Sequence, residues 1–157
     1  MRVDFLSAAR GDEKTVNING KNINVKIPAG TKDGQTLRLK GLGYQSYNGG
    51  SAGDVLITLN VDKHPYFSLD GNNILIELPI SIKEAILGAK VTVPTISGKV
   101  AVNIPSYASS GEKLRLKGKG VKGGDQIIVL KIVSPKKPNS ALENILKEVP
   151  DEDIRKF

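Results

Sequence analysis

The chain contains no cysteine and no tryptophan, one histidine, one methionine and only 4% aromatic residues. Without cysteine there are no disulfides, no thiolate zinc sites and no cysteine nucleophile. The lone His64 is followed by Pro65, has no second histidine to pair with, and reads as a turn residue at a boundary. A catalytic triad would have to be built on it, and no catalytic residue is expected. The glycines fit neither a phosphate loop nor a dinucleotide fingerprint. Asp33-Gly34 and Asp70-Gly71 have turn character but not the spacing of a calcium loop. Scarce aromatics argue against a base-stacking platform for single strands. No stretch reaches the roughly 18–20 apolar residues of a membrane span. The opening MRVDFLSAARGDEK has no apolar run suited to a secretory signal. These absences predict a cytoplasmic binding protein with no enzyme activity, no metal, no cofactor and no membrane partner.

What is present is a repeat. Val25 to Gly43 reads VKIPAGTKDGQTLRLKGLG, and Val102 to Gly120 reads VNIPSYASSGEKLRLKGKG. The offset is a constant 77 residues, Ile27 to Ile104 and Gly41 to Gly118. It extends upstream, pairing Ala8 with Ala85, Gly11 with Gly88, and Thr15-Val16 with Thr92-Val93. A period this long is that of a small domain, not a solenoid unit. The expectation is a mainly β protein: two tandem homologous β-sandwich-like domains, with short helices and a C-terminal helix. The boundaries predicted are 1–67, 68–135 and a C-terminal segment 136–157.

Along the chain, Arg2 to Leu6 reads as a strand and Ser7 to Arg10 as a helical turn closed by Gly11. Val16 and Ile18 alternate with Thr15 and Asn17, and Asn19-Gly20 is a hairpin signal, with Gly20-Lys21 the alternative register. Ile23, Val25 and Ile27 alternate next, up to Pro28, and Leu37 to Lys40 repeats the pattern. Tyr44 to Gly53 is an insertion rich in Gly, Ser and Asn, standing where the second repeat has only Val121 to Gly123. Val55 to Val61 is an apolar strand, and Asp70-Gly71 is the next hairpin signal. Ile74, Ile76 and Leu78 alternate up to Pro79. Ser81 and Glu84 have the spacing of a capping box, opening a short helix that Gly88 ends. Lys90–Val93, Val100–Ile104, Leu114–Lys117 and Gln126–Val133 read as strands. Leu142, Ile145, Leu146 and Val149 then form an amphipathic stripe, to pack on the second module or on a partner chain.

The net charge of +7 admits an anionic partner. However, Lys136-Lys137 is the only paired run, and a solvated basic surface is the plainer account of the charge. Exposed sheet edges of a β protein can pair with extended peptides. Val16 and Ile18 suit that role, or are ordinary core residues of a half-buried strand.

Taken in order, these residues resemble the C-terminal substrate-binding region of DnaJ co-chaperones. The resemblance is carried by Val25 to Gly41, Gly53-Asp54-Val55, His64-Pro65-Tyr66-Phe67, Glu84 to Gly88, Val93-Pro94-Thr95 and Gly118-Lys119-Gly120. It implies two β-sandwich-like domains followed by a C-terminal dimerisation helix. The His-Pro-Asp motif of a J-domain and the Gly/Phe segment are missing here, and Met1 is expected to mark a fragment boundary. Asn19 to Asn22 turn a corner where cysteine repeats would be inserted, so the chain is similar to the zinc-free, curved-DNA-binding-protein branch. The resemblance implies capture of unfolded client polypeptides by strand addition beside a groove, at Val16, Ile18, Phe67 and Met1. It also implies that Lys14 meets the acidic tail of the seventy-kilodalton heat-shock chaperone. Leu142, Ile145, Leu146 and Val149 would make a homodimer. The alternative function is salt-sensitive, non-specific DNA binding.

Overall fold

The computed structural model describes residues 1–41, 43 and 53–157. The protein is mainly β. The first half of the repeat comprises β1 (Arg2–Val3), α1 (Phe5–Arg10), β2 (Asp12–Ile18), β3 (Lys21–Ile27), β4 (Gln35–Leu39) and β5 (Val55–Val61). The second comprises β6 (Phe67–Asp70), β7 (Asn73–Ser81), α2 (Ile82–Leu87), β8 (Ala89–Thr95), β9 (Gly98–Ile104), β10 (Lys113–Leu116) and β11 (Gln126–Val133). A final helix, α3, spans Ser140–Glu148.

Each half pairs a sheet with a separate hairpin. The first sheet has the order β1-β5-β4 beside hairpin β2-β3; the second has the order β10-β11-β7-β6 beside hairpin β8-β9. The halves match contact for contact. Val3 lies opposite Val61 in a parallel pair, as Ile80 lies opposite Ile132. Gly34 donates to the Leu59 carbonyl at 2.8 Å, as Gly111 does to that of Leu130 at 2.7 Å. Val3, Ala8, Ile27 and Leu59 form the first core. The second is larger, with Ile74, Ile76, Ile80, Val93, Ile128 and Leu130, and it also takes in Phe5 and Ala9 of α1.

Two expectations are corrected. The strand expected over Arg2 to Leu6 stops at Val3, because Asp4 caps a helix that already includes Phe5 and Leu6. Its carboxylate accepts the Ser7 N–H at 3.2 Å, supplying one of the donors that a helix start leaves unpaired. The hairpin expected at Asp70-Gly71 turns through Gly71-Asn72, since Asp70 pairs with Asn73. Asn19-Gly20 does form the first turn: Ile18 pairs with Lys21, and φ is 52° and 83° at the two central residues.

The second helix has its capping box, with Ser81 and Glu84 bonding each other's backbone N–H at 3.1 and 2.9 Å. Gly11 is needed where it stands: its φ is +85°, and a Cβ there would meet the Ala29 nitrogen at 3.1 Å. Pro79 lies inside β7, opposite Lys131. The ladder to β6 covers only Asn73 to Ile76, so among the described residues Pro79 has no strand on that side to donate to. The insertion expected over Tyr44 to Gly53 falls, for residues 44–52, outside the described residues; at its base Gly43 donates to the Gly53 carbonyl at 2.7 Å.

Candidate functional site

The two-residue turn fixes which way β2 presents its backbone. In such a hairpin the residues flanking the turn, Ile18 and Lys21, form a hydrogen-bonded pair. By alternation Val16 and Lys14 also bond across to β3, while the peptide groups of Thr15 and Asn17 face outward. Among the described residues, no hydrogen bond engages those outward N–H groups of Thr15 and Asn17. The side chains of Lys14, Val16 and Ile18 share one face, all half-buried, with Ile23 opposite Val16. Val16, Ile18 and Ile23 belong to neither core cluster of the described residues. The tip of this hairpin therefore combines an open backbone edge with half-buried apolar side chains that belong to neither core.

The repeat supplies an internal control. Val16, Asn17 and Ile18 correspond to Val93, Pro94 and Thr95, and there the same edge is closed. Val93 and Thr95 are buried. Thr95 pairs with Gly98 around the Ile96-Ser97 turn, so Pro94 is the outward-facing residue. It has no N–H, and its carbonyl accepts a bond from Gln126 Nε2 at 2.9 Å. Gln126 is fully buried and its Oε1 has no partner among the described residues. The residue at the corresponding place in the first half, directly after Asp54, is Val55, which has no amide to reach across. Sequence reading singled out neither Ile23 nor the Pro94–Gln126 pair as functional. Proline on an edge strand was the available signal.

The remaining expected positions are dispersed. Met1 packs on the first core, its amino group donating to the Thr58 carbonyl at 2.6 Å. Phe67 is only 4% exposed and stacks on Phe5 with ring centroids 6.1 Å apart. It lines a cleft of about 520 Å³ with Phe5, Val61, His64 and Leu69, rimmed by Lys32, Asp33, Asp62 and Lys63. Val16, Ile18 and Met1 do not line that cleft. His64 Nδ1 accepts the N–H groups of Tyr66 and Phe67, both at 3.3 Å, so its ring organises the turn into β6.

Two carboxylates have lowered pKa values. Asp4 is held down chiefly by its hydrogen bond from Ser7. Asp54 is held down by the Gly41 N–H and then by Arg38. Among the described residues, no three His, Asp or Glu side chains are placed to hold a metal ion. None of the helices described is long and apolar enough to cross a membrane. On α3, capped by Asn139, Leu142 is half-buried, whereas Ile145, Leu146 and Val149 are exposed.

The family model described as DnaJ C terminal domain matches residues 1–135. The chain is 41% identical over 150 residues to the chaperone protein DnaJ of Bacillus licheniformis, covering 87% of this chain and 40% of that protein. It is 44% identical over 134 residues to the chaperone protein DnaJ of Bacillus mycoides, covering 82% of this chain and 36% of that one. The chain thus spans well under half the length of these curated relatives.

Proposed function

Because the chain belongs to the DnaJ C-terminal domain family, we propose that it is a substrate-binding region of a co-chaperone. It captures extended apolar segments of unfolded polypeptides on the β2 edge and delivers them to a seventy-kilodalton heat-shock chaperone. The observation that carries this reading is the outward edge of Thr15 and Asn17, unpaired among the described residues, beside half-buried Val16, Ile18 and Ile23. An added strand satisfies that edge through main-chain bonds, which are indifferent to sequence, while alternate side chains of the client reach the apolar face. Burying each apolar side chain contributes about 1.5–3 kcal/mol before the cost of ordering the client, so a single edge binds weakly.

Lys14 stands on the same face, where it meets the acidic tail of the partner chaperone. The α3 stripe of Leu142, Ile145, Leu146 and Val149 joins two copies, and two linked edges raise affinity through effective concentration. Phe67, which lines the cleft beside Phe5 and His64, and Met1 are the further peptide-binding positions of this reading.

The test is binding of a labelled unstructured apolar peptide over a salt series, with duplex DNA as competitor. Salt-insensitive binding that DNA does not displace, lost in Val16→Asp/Ile18→Asp with the circular dichroism spectrum retained, supports the reading. Binding to DNA alone, falling steeply with salt, overturns it in favour of a nucleic-acid module.

A further inference from the structure

The cleft where the two halves of the chain meet has an apolar floor and a rim whose free polar groups are all donors. The floor is Phe5 of α1, Val61 at the end of β5, and Phe67 and Leu69 of β6. At about 520 Å³ the cleft falls within the range of small-molecule sites, roughly 300–1,000 Å³, which favour such junctions.

The rim carries two carboxylates, and both are engaged. Asp33 Oδ1 accepts the Val61 N–H at 2.8 Å, and Asp62 pairs with Arg2 at 2.8 Å. Lys32 and Lys63 are exposed, and among the described residues neither ammonium has an ion-pair partner. Counting Arg2, three cations stand against two carboxylates. His64 adds a third free donor. Its Nδ1 accepts the N–H groups of Tyr66 and Phe67, so the proton of the ring sits on Nε2. That half-buried Nε2–H has no partner among the described residues.

The repeat separates what the frame needs from what it does not. At the repeat offset Asp33 becomes Ser110, and the two do the same job: Ser110 Oγ accepts the Ile132 N–H at 3.1 Å, as Asp33 accepts that of Val61. The lysines have no such counterpart. Lys32 becomes Ser109, and Lys63, two residues past Val61, becomes Ser134, two past Ile132. The shared frame is built without either charge.

We infer that this cleft binds a small amphipathic carboxylate, its head held by Lys32, Lys63 and His64 Nε2 and its apolar tail on the floor. An uncharged apolar side chain would fill the floor and leave all three donors without an acceptor. A cation would meet only acceptors already in use. A carboxylate on a short apolar tail satisfies both, through charge-assisted bonds at the rim and burial below. The inference does not rest on strand addition at β2, since Val16 and Ile18 do not line the cleft. Phe67 is the one position that the two readings share. Because both halves wall the cleft, the bound carboxylate also holds them together and raises stability by mass action.

Octanoate is the probe, with octanol lacking the charged head and acetate lacking the tail. Octanoate should shift the amide resonances of Lys63, His64, Phe67 and Leu69 saturably and raise the melting temperature, and both controls should bind more weakly. Lys32→Gln/Lys63→Gln should weaken octanoate about fivefold, the loss expected of two rim ion pairs. Lys83→Gln/Lys99→Gln, at exposed lysines of the second half, should leave it unchanged. Val16→Asp/Ile18→Asp should lose the apolar peptide yet keep octanoate, so the two readings fail separately. Octanol binding as tightly as octanoate, or octanoate indifferent to Lys32→Gln/Lys63→Gln, overturns the carboxylate. Shifts confined to Thr15–Ile18, or none at millimolar octanoate, overturn the cleft as its site.

Discussion

Asp54 and Asp125 make the same pair of contacts in the two halves of the chain. Each carboxylate accepts the N–H of the glycine at a strand end, Gly41 at 3.0 Å and Gly118 at 2.8 Å. Each also pairs with the arginine inside that strand, Arg38 or Arg115. The Gly-Asp step therefore ties the end of one strand to the start of the next. Asp125 is the more shielded, its side chain 18% exposed. Asp125→Ala should lower stability by about 1–2 kcal/mol, since the Gly118 N–H loses a charged acceptor. Arg115→Ala, on a mostly exposed side chain, should cost less than ~1 kcal/mol. Urea unfolding of the two variants checks the order.

Acid sensitivity follows from Asp4 and Asp54. Both have folded pKa values below the usual carboxylate range, Asp4 through Ser7 and Asp54 through Gly41 and Arg38. The native state thus binds fewer protons than the unfolded chain, so stability rises with pH through this region. The contribution is complete above about pH 5 and is lost as pH falls below roughly 4 and through the folded pKa values. Asp4→Asn/Asp54→Asn should flatten the stability-versus-pH curve between those limits. A curve parallel to the wild type would assign acid unfolding to other carboxylates.

Much of this was legible because the relevant signals are local. Asn19-Gly20 names its turn, Ser81 and Glu84 name their helix start, and the alternation of Ile23, Val25 and Ile27 gives the buried face of β3. Phe5 and Leu6 were misread because an apolar pair after a short strand looks like more strand, and the Asp4 cap decides otherwise. The beginning of β2, Asp12-Glu13-Lys14, is too polar to carry a strand pattern and is held by pairing with Val25 to Ile27. The covering of α1 by the second half, and the reach of Gln126 to Pro94 across 32 residues, leave no local trace.

Phe5 is where the halves depend on each other. It is 8% exposed, belongs to α1, and packs in the core of the second half against Phe67. Phe5→Ala should cost about 3–5 kcal/mol, the range for emptying a buried aromatic site. It should also loosen the coupling, so that amides of β2 and β3 exchange faster than those of β7 and β11. Tyr66→Ala, on a half-exposed ring beside His64, serves as the mild comparison. Uniform acceleration in both halves would mean that the two cores open as one unit.

The asymmetry between β2 and β8 makes a prediction about stoichiometry. If strand addition needs both a free backbone edge and apolar side chains that are only half-buried, the first half alone qualifies, and peptide should saturate at one per chain. Pro94→Asn/Gln126→Val gives the second half the residues of the first at both closing positions. It restores an outward N–H and frees the Pro94 carbonyl, yet Val93 and Thr95 remain buried under the second core. Titration calorimetry on this variant should still give one peptide per chain, with stability lowered by about 1–3 kcal/mol for the carbonyl left unpaired. Two peptides per wild-type chain would mean that the Gln126 bond is easily displaced and that both halves bind. Two per variant chain alone would identify the backbone edge, not the half-buried apolar side chains, as the limiting requirement.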